Sequence, residues 1–207
     1  MKKQNITIII LSVLIALFFT ACGGGGGSMQ SSSASNGNTG SMVGVFIDSP
    51  VSGLDYRCDG TIRKTDDQGH FTCKNAPVDF YLGNLKIGSI SKMTDDYLVF
   101  PQDISEQPRS AALHPEVTKL AILLQSLDSD EDPSNGIDIK QNTLDILNQV
   151  VAQGTNIQDM SLDDLKTSLG SIISKSTQNR LHLVTTIDAQ IHILTSMSKT
   201  YESPIQP

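Results

Sequence analysis

Val78-Asp79-Phe80-Tyr81-Leu82-Gly83-Asn84-Leu85-Lys86-Ile87-Gly88-Ser89-Ile90 is the stretch on which the fold of this 207-residue chain turns. Val78, Phe80 and Leu82 alternate with their neighbours ahead of Gly83-Asn84, and Leu85 and Ile87 resume the alternation after it, which is the period of a strand with one buried face. Gly83 stands at the first central position of a two-residue turn, where a type II′ hairpin needs it. The stretch therefore predicts a β-hairpin. Outward from it, short apolar runs at 43–48, 53–58, 70–74 and 97–100 are broken by turn residues, among them Asp66-Asp67-Gln68-Gly69. Runs at this spacing predict a small antiparallel β module over residues 42–104. No helix follows these glycines, so backbone geometry explains them better than phosphate binding does.

Beyond residue 110 the period lengthens. Pro115 suits a first helical turn, and Val117, Leu120, Ala121, Leu124 and Leu127 recur at three- and four-residue steps. A second helix is expected over 142–153, with Gly154 as its stop. A third starts at Ser161, whose partner Asp164 completes a capping-box pattern. A last helix is expected over about 177–198, offering Leu181, Val184, Ile187, Ile191 and Leu194 as its inward stripe. The fold class is thus α+β, a small antiparallel β-sandwich-like module followed by a small four-helix bundle at residues 110–201.

The N-terminus carries an address. Lys2 and Lys3 precede an apolar run at 6–19 and then Thr20-Ala21-Cys22, so residues 1–21 read as a cleaved secretory signal. The run is shorter than the ~20 apolar residues of a membrane-spanning helix. Phe19-Thr20-Ala21-Cys22 resembles the lipobox of bacterial lipoproteins, with Phe19 in place of the usual Leu. The resemblance implies that Cys22 becomes the first mature residue and carries acyl chains such as palmitate, each buried methylene contributing about 0.8 kcal/mol to anchorage. It also implies sorting to the outer membrane of a Gram-negative cell, periplasmic or surface-exposed, because Gly23 stands where an Asp would retain the protein at the inner membrane. The alternative is an ordinary signal peptide with a chance Cys. Residues 22–41 are mainly Gly, Ser, Asn and Thr, a composition that predicts a flexible linker with a reach of roughly 25 Å.

Charge narrows the functions. The chain has 15 Lys plus Arg against 22 Asp plus Glu, and loss of Lys2 and Lys3 with the signal leaves 13 against 22, a balance of −9. No basic stripe is present to hold phosphates, so nucleic acid is excluded as a partner. The absence of Trp weakens any case for a stacking platform. An acidic body needs the acyl anchor to stay on an anionic membrane.

Ser49-Pro50-Val51-Ser52-Gly53-Leu54-Asp55-Tyr56 and Thr65-Asp66-Asp67-Gln68-Gly69-His70-Phe71 are similar to the Pro-Val-x-Gly and Thr-Asp-x-x-Gly-x-Phe pattern of transthyretin-like or carboxypeptidase-regulatory-like modules of bacterial surface proteins. The resemblance spans about 60 residues and implies a structural or binding role rather than catalysis. Residues 123–137 are also similar to a segment of uncharacterised bacterial surface lipoproteins, where it follows such a module. With Cys22 assigned to the anchor, Cys58 and Cys73 form an even pair in a secreted chain, and a disulfide is the natural expectation. A metal site or redox pair is the alternative, although the spacing is far from Cys-x-x-Cys and His70 alone completes no ligand set.

One loop carries candidate chemistry. Asp128, Asp130 and Asp132 alternate ahead of Pro133-Ser134-Asn135-Gly136, and alternating carboxylates in a turning loop are how oxygen donors surround Ca²⁺. Asn135 or a carbonyl near Ser134 would complete the set. The glycine comes late and Ile139 stands where an EF-hand has its bidentate Glu, so the loop is calcium-like without being an EF-hand. The alternative is a solvated interhelical turn.

The case for an enzyme is thin. His182 and His192 are expected on one helix with Asp188, His114 reads as part of a helix start, and no catalytic motif surrounds any Ser. The expected role is non-catalytic: a lipid-anchored envelope protein acting as a surface binding or adhesion module with a protein partner. The alternative is an accessory lipoprotein of an envelope machine such as a secretion system or pilus. A hydrolase with an unfamiliar site is the minor alternative.

Overall fold

A computed structural model describes residues 41–202. The signal segment, Cys22 and the linker as far as residue 40 lie outside the described residues. The chain runs through β1 (Met42–Phe46), β2 (Val51–Ser52), β3 (Asp55–Cys58), β4 (Thr61–Lys64), β5 (His70–Cys73), β6 (Val78–Leu82), β7 (Leu85–Ile90), β8 (Leu98–Val99), α1 (Pro101–Ile104), α2 (Pro115–Ser126), β9 (Ile137–Asp138), α3 (Gln141–Val150), β10 (Thr155–Asn156), α4 (Leu162–Lys175) and α5 (Thr186–Glu202). The α+β class expected from the two periods holds.

The hairpin forms as its residues require. Leu82 pairs with Leu85 across Gly83, which takes φ 54. A side chain at Gly83 would strike the Asn148 amide, whose oxygen accepts from Asn84 N at 2.6 Å. The turn is thereby docked onto α3. Strands β6 and β7 sit inside a five-stranded sheet ordered β10-β7-β6-β3-β4, and β1 is central in a second sheet, β5-β1-β8. Phe46, Phe71, Phe80 and Tyr56 meet between the sheets, with Phe80 5.1 Å from Phe46 and 5.2 Å from Phe71 between ring centroids. From Gly44 onward strand β1 is buried on both faces. Phe46 turns to this aromatic core, while Val45 and Ile47 pack with Leu98 and Phe100 in a second, smaller cluster.

Pairing departs from the all-antiparallel expectation at three places. Strands β1 and β8, β2 and β9, and β7 and β10 are parallel pairs. Two of these recruit strands from the C-terminal half, so the helical segment completes the sheets. Ile137 N donates to Pro50 O at 2.9 Å and Ile139 N to Ser52 O at 3.1 Å. Gly53, at φ 79, permits the approach: a Cβ there would lie 2.2 Å from Ile139 O. The same core cluster contains Phe80 and Ile87 from the sheet and Leu120, Leu147, Leu165 and Ile193 from the helices.

Helix α2 is the centre of the helical half. Every residue from Val117 to Ser126 is buried, the mark of an element packed on all sides. Even Lys119 is enclosed, donating to Met160 O at 2.9 Å and pairing with Glu116 at 2.8 Å. Helix α4 starts at Ser161, whose hydroxyl accepts from Asp164 N at 3.1 Å and donates to the Asp164 carboxylate at 2.7 Å.

The last helix corrects the expectation drawn from its sequence. It begins at Thr186, not near residue 177, because Thr185 caps it: Asp188 N donates to Thr185 Oγ1 at 3.2 Å, and the hydroxyl donates back to Asp188 at 2.6 Å. Leu181 and Val184 are buried ahead of the helix, Val184 N being held by Ser126 Oγ at 3.0 Å. Ile187, Ile191 and Leu194 face outward, Ile187 being 67% exposed. The inward face is Ala189, Ile193, Ser196 and Thr200. Small side chains let α5 approach α2 and the turn after β1 closely enough for hydrogen bonds, which the larger stripe would prevent.

Candidate functional site

The acidic loop leaves the C-terminus of α2 and returns through β9 to the sheet. Asp128 is 1% exposed. Its Oδ1 accepts from Asp138 N at 2.9 Å, and its Oδ2 is buried without a hydrogen-bond partner. Ser129 N donates to Asp138 O at 3.1 Å, so the two ends of the loop are stitched together around the Asp128 side chain. Burial pushes the Asp128 carboxyl up to about 6, and the neighbouring Asp130 carboxylate pushes the same way.

The other three predicted residues shape the turn. Asp130 accepts from Asp132 N at 3.0 Å and from Asn135 Nδ2 at 3.1 Å, contacts that hold its carboxyl below the usual range. Asp132 accepts from Ser134 N at 3.1 Å and from its hydroxyl at 2.5 Å, capping the short 3-10 turn Pro133–Asn135. Asp138 is paired with Lys140. The structure thus brings Asp128, Asp130 and Asn135 into one connected cluster and turns Asp132 toward Ser134. Among the described residues, the group of three acid, His or Cys side chains whose ligand atoms lie mutually within 4.8 Å is Cys58, Asp59 and Cys73. Cys58 and Cys73 are disulfide-bonded, with Cα atoms 5.9 Å apart. The expected staple is present, and it spends both sulfurs.

A second polar centre escaped the sequence reading. Asp48 is fully buried; its Oδ2 accepts from Gln125 Nε2 at 3.0 Å and its Oδ1 has no partner. His192 Nε2 lies 3.0 Å from Asp48 O and 3.1 Å from Ser49 Oγ, and Ser49, at φ 62, donates its N–H to Ser196 Oγ at 2.7 Å. A Ser–His contact of this length is how a nucleophile meets its base. Here, however, the Asp48 carboxylate lies 4.0 Å from the same Nε2 that faces Ser49, so it does not orient the ring through Nδ1 as a triad would. His182 lies ahead of α5 rather than on it, and Asp188 serves Thr185, so the helix-borne His pair expected from the sequence does not form. The chain matches no family model, no curated protein and no solved structure.

Burial drives the Asp48 carboxyl well above its ordinary value, while burial drives His192 down. A raised acid makes the native state hold more protons than the unfolded one, so this contribution is full below pH ~4 and is lost as pH rises through the folded value. His192 acts oppositely, its contribution being present above its unfolded value near 6.5 and lost as pH falls. Asp48→Asn removes only the first. The melting temperature of the variant relative to wild type is expected to climb from pH 4 to pH 8; parallel curves would refute the assignment.

A cleft of about 480 Å³ opens beside the hairpin turn, lined by Arg57, Ile62, Tyr81, Asn84 and Lys86 among others. The Arg57 guanidinium stacks 5.1 Å from the centre of the Tyr81 ring. Alternation along β3 and β6 places both side chains on the sheet face away from the core, a signal that the strand period already contained.

Proposed function

We propose that the protein is a lipid-anchored outer-membrane module that binds a protein partner and performs no catalysis. The observation that carries this reading is the order of the chain: Phe19-Thr20-Ala21-Cys22, then a Gly/Ser-rich linker, then a body whose first strand begins at Met42. That order holds a folded domain off the bilayer by a short tether. The likeness of residues 49–71 to bacterial surface β modules supports the same reading, and the cleft at Arg57 and Tyr81 supplies a contact surface of mixed charge with an aromatic face. The second reading, an accessory lipoprotein of an envelope machine, draws on the exposed Ile187, Ile191 and Leu194 of α5.

In cells fed an alkyne-tagged palmitate analogue, the wild-type chain is expected to take up the tag and sediment with membranes, and Cys22→Ala to do neither. Tagging of the Cys22→Ala chain at wild-type level would overturn the anchor. Protease added to intact cells separates the readings further. Degradation supports surface binding, and full protection supports the periplasm-facing machine component.

A further inference from the structure

We propose that the loop after α2 is a calcium site in which Asp128 Oδ2 and the Asp130 carboxylate hold one ion, completed by Asn135 and water. The inference stands apart from the anchor and goes beyond the binding reading.

It starts from an unpaid oxygen. A carboxylate oxygen removed from water with no donor is among the costliest groups a protein can bury. Asp128 Oδ2 is such an atom, although Asp130, Asp132, Ser134 and Asn135 beside it find partners within the loop. Asp130 neighbours Asp128 closely enough for its charge to act on the buried carboxyl, and it is tied to Asn135. Neighbouring carboxylates repel one another, and a divalent cation between them removes both the repulsion and the missing contact.

The donor set fits calcium better than a transition metal. All the groups at hand are oxygens: two carboxylates, the Asn135 side-chain amide and solvent on the open side. Ca²⁺ accepts six to eight oxygens at 2.3–2.6 Å in irregular geometry, whereas Mg²⁺ demands a near-ideal octahedron. Asn135 now donates Nδ2 to Asp130 at 3.1 Å, and a half-turn of its amide presents Oδ1 to the same point. Of the protein cations near the loop, Lys140 is paired with Asp138, and Arg180, whose backbone N–H donates to Ser129 O at 3.1 Å, acts on Asp130 through its field without a hydrogen bond to it.

The position gives the ion a purpose. Asp128 follows the C-cap of α2, Leu127, and its other oxygen accepts from Asp138 N of β9, which pairs with β2. An ion on Asp128 therefore clamps the central helix to the strand that joins the two halves of the chain.

The full chain in detergent, stripped with EDTA and then titrated with CaCl₂, tests this. With Kd in the millimolar to sub-millimolar range, 10 mM calcium is a ten- to hundredfold excess, and the melting temperature is expected to rise by about 3–10 °C. Asp128→Asn and Asp130→Asn are each expected to abolish the shift. Asp130 is exposed, so its variant keeps the test open if the Asp128 variant does not fold. Asp163→Asn, on α4, is expected to keep the shift. A melting temperature that calcium leaves unchanged to 10 mM, or moves equally in Asp130→Asn, overturns the proposal.

Discussion

Phe80→Ala is expected to cost about 3–5 kcal/mol of folding stability, the range for deleting a fully buried Phe. Phe80 touches two other rings edge-on, Phe46 on β1 and Phe71 on β5 of the facing sheet, so its loss opens a cavity where the sheets meet. Aromatic contacts of this geometry add to the area term. Glycine is part of the fit: a Cβ on Gly44 would lie 2.4 Å from the Phe71 ring. Because Phe80 and the helix residues Leu120 and Leu165 share one cluster, the loss is expected to reach the helices. Helical far-UV signal and the near-UV signal of buried Tyr56 should fall at one denaturant midpoint in the wild type and at one lower midpoint in the variant. Helical signal that survives the tyrosine transition in Phe80→Ala would show that the two halves are energetically separate.

The second large effect is loss of the disulfide. Cys58 lies on β3 in the five-stranded sheet and Cys73 on β5 in the three-stranded one, so the bond ties the two sheets together. Replacing both by Ser is expected to cost about 3 kcal/mol, the chain-entropy value for a closed loop of about this size. Cys58 and Cys73 are both buried, and the hydroxyls left in their place add a polar burden at the sheet seam. Dithiothreitol should lower the denaturation midpoint of the wild type to that of the double variant and leave the variant unmoved. A wild-type midpoint indifferent to reductant would remove the bond from the stability of the fold.

What could be read from the residues was local. The hairpin at Gly83, the helix start at His114-Pro115, the Ser161–Asp164 cap and the Cys58–Cys73 pair each depend on neighbours a few residues apart, or on compartment and parity. Strands β9 and β10 are two residues each and exist because β2 and β7 are there to pair with them, a fact that no window of sequence contains. The start of α5 was hidden for another reason. Leu181 and Val184 continue the helical spacing of Ile187 and Ile191 while lying in extended chain, and Thr185-x-x-Asp188 was the signal that separates them. The acidic loop was legible as a turn with oxygen donors. Which oxygen would be left without a partner depends on the burial of Asp128, set by packing at the end of α2. The contact of Ser49 with His192 joins residues 143 positions apart and had no local trace.

The parallel pairs β2–β9 and β7–β10 bear finally on how the molecule is made. A chain emerging N-terminus first presents β2 and β7 long before Ile137 and Thr155 exist to cover them. Contacts so distant in sequence pay their loop-closure entropy before they return anything, and they slow folding. In the interval the newborn β half carries bare strand edges, the surfaces on which chains pair with one another. Completion of the sheets must therefore wait until Thr155 and Asn156 have been made, and a chain stopped before Ile137 is a seed for aggregation rather than a smaller version of the protein.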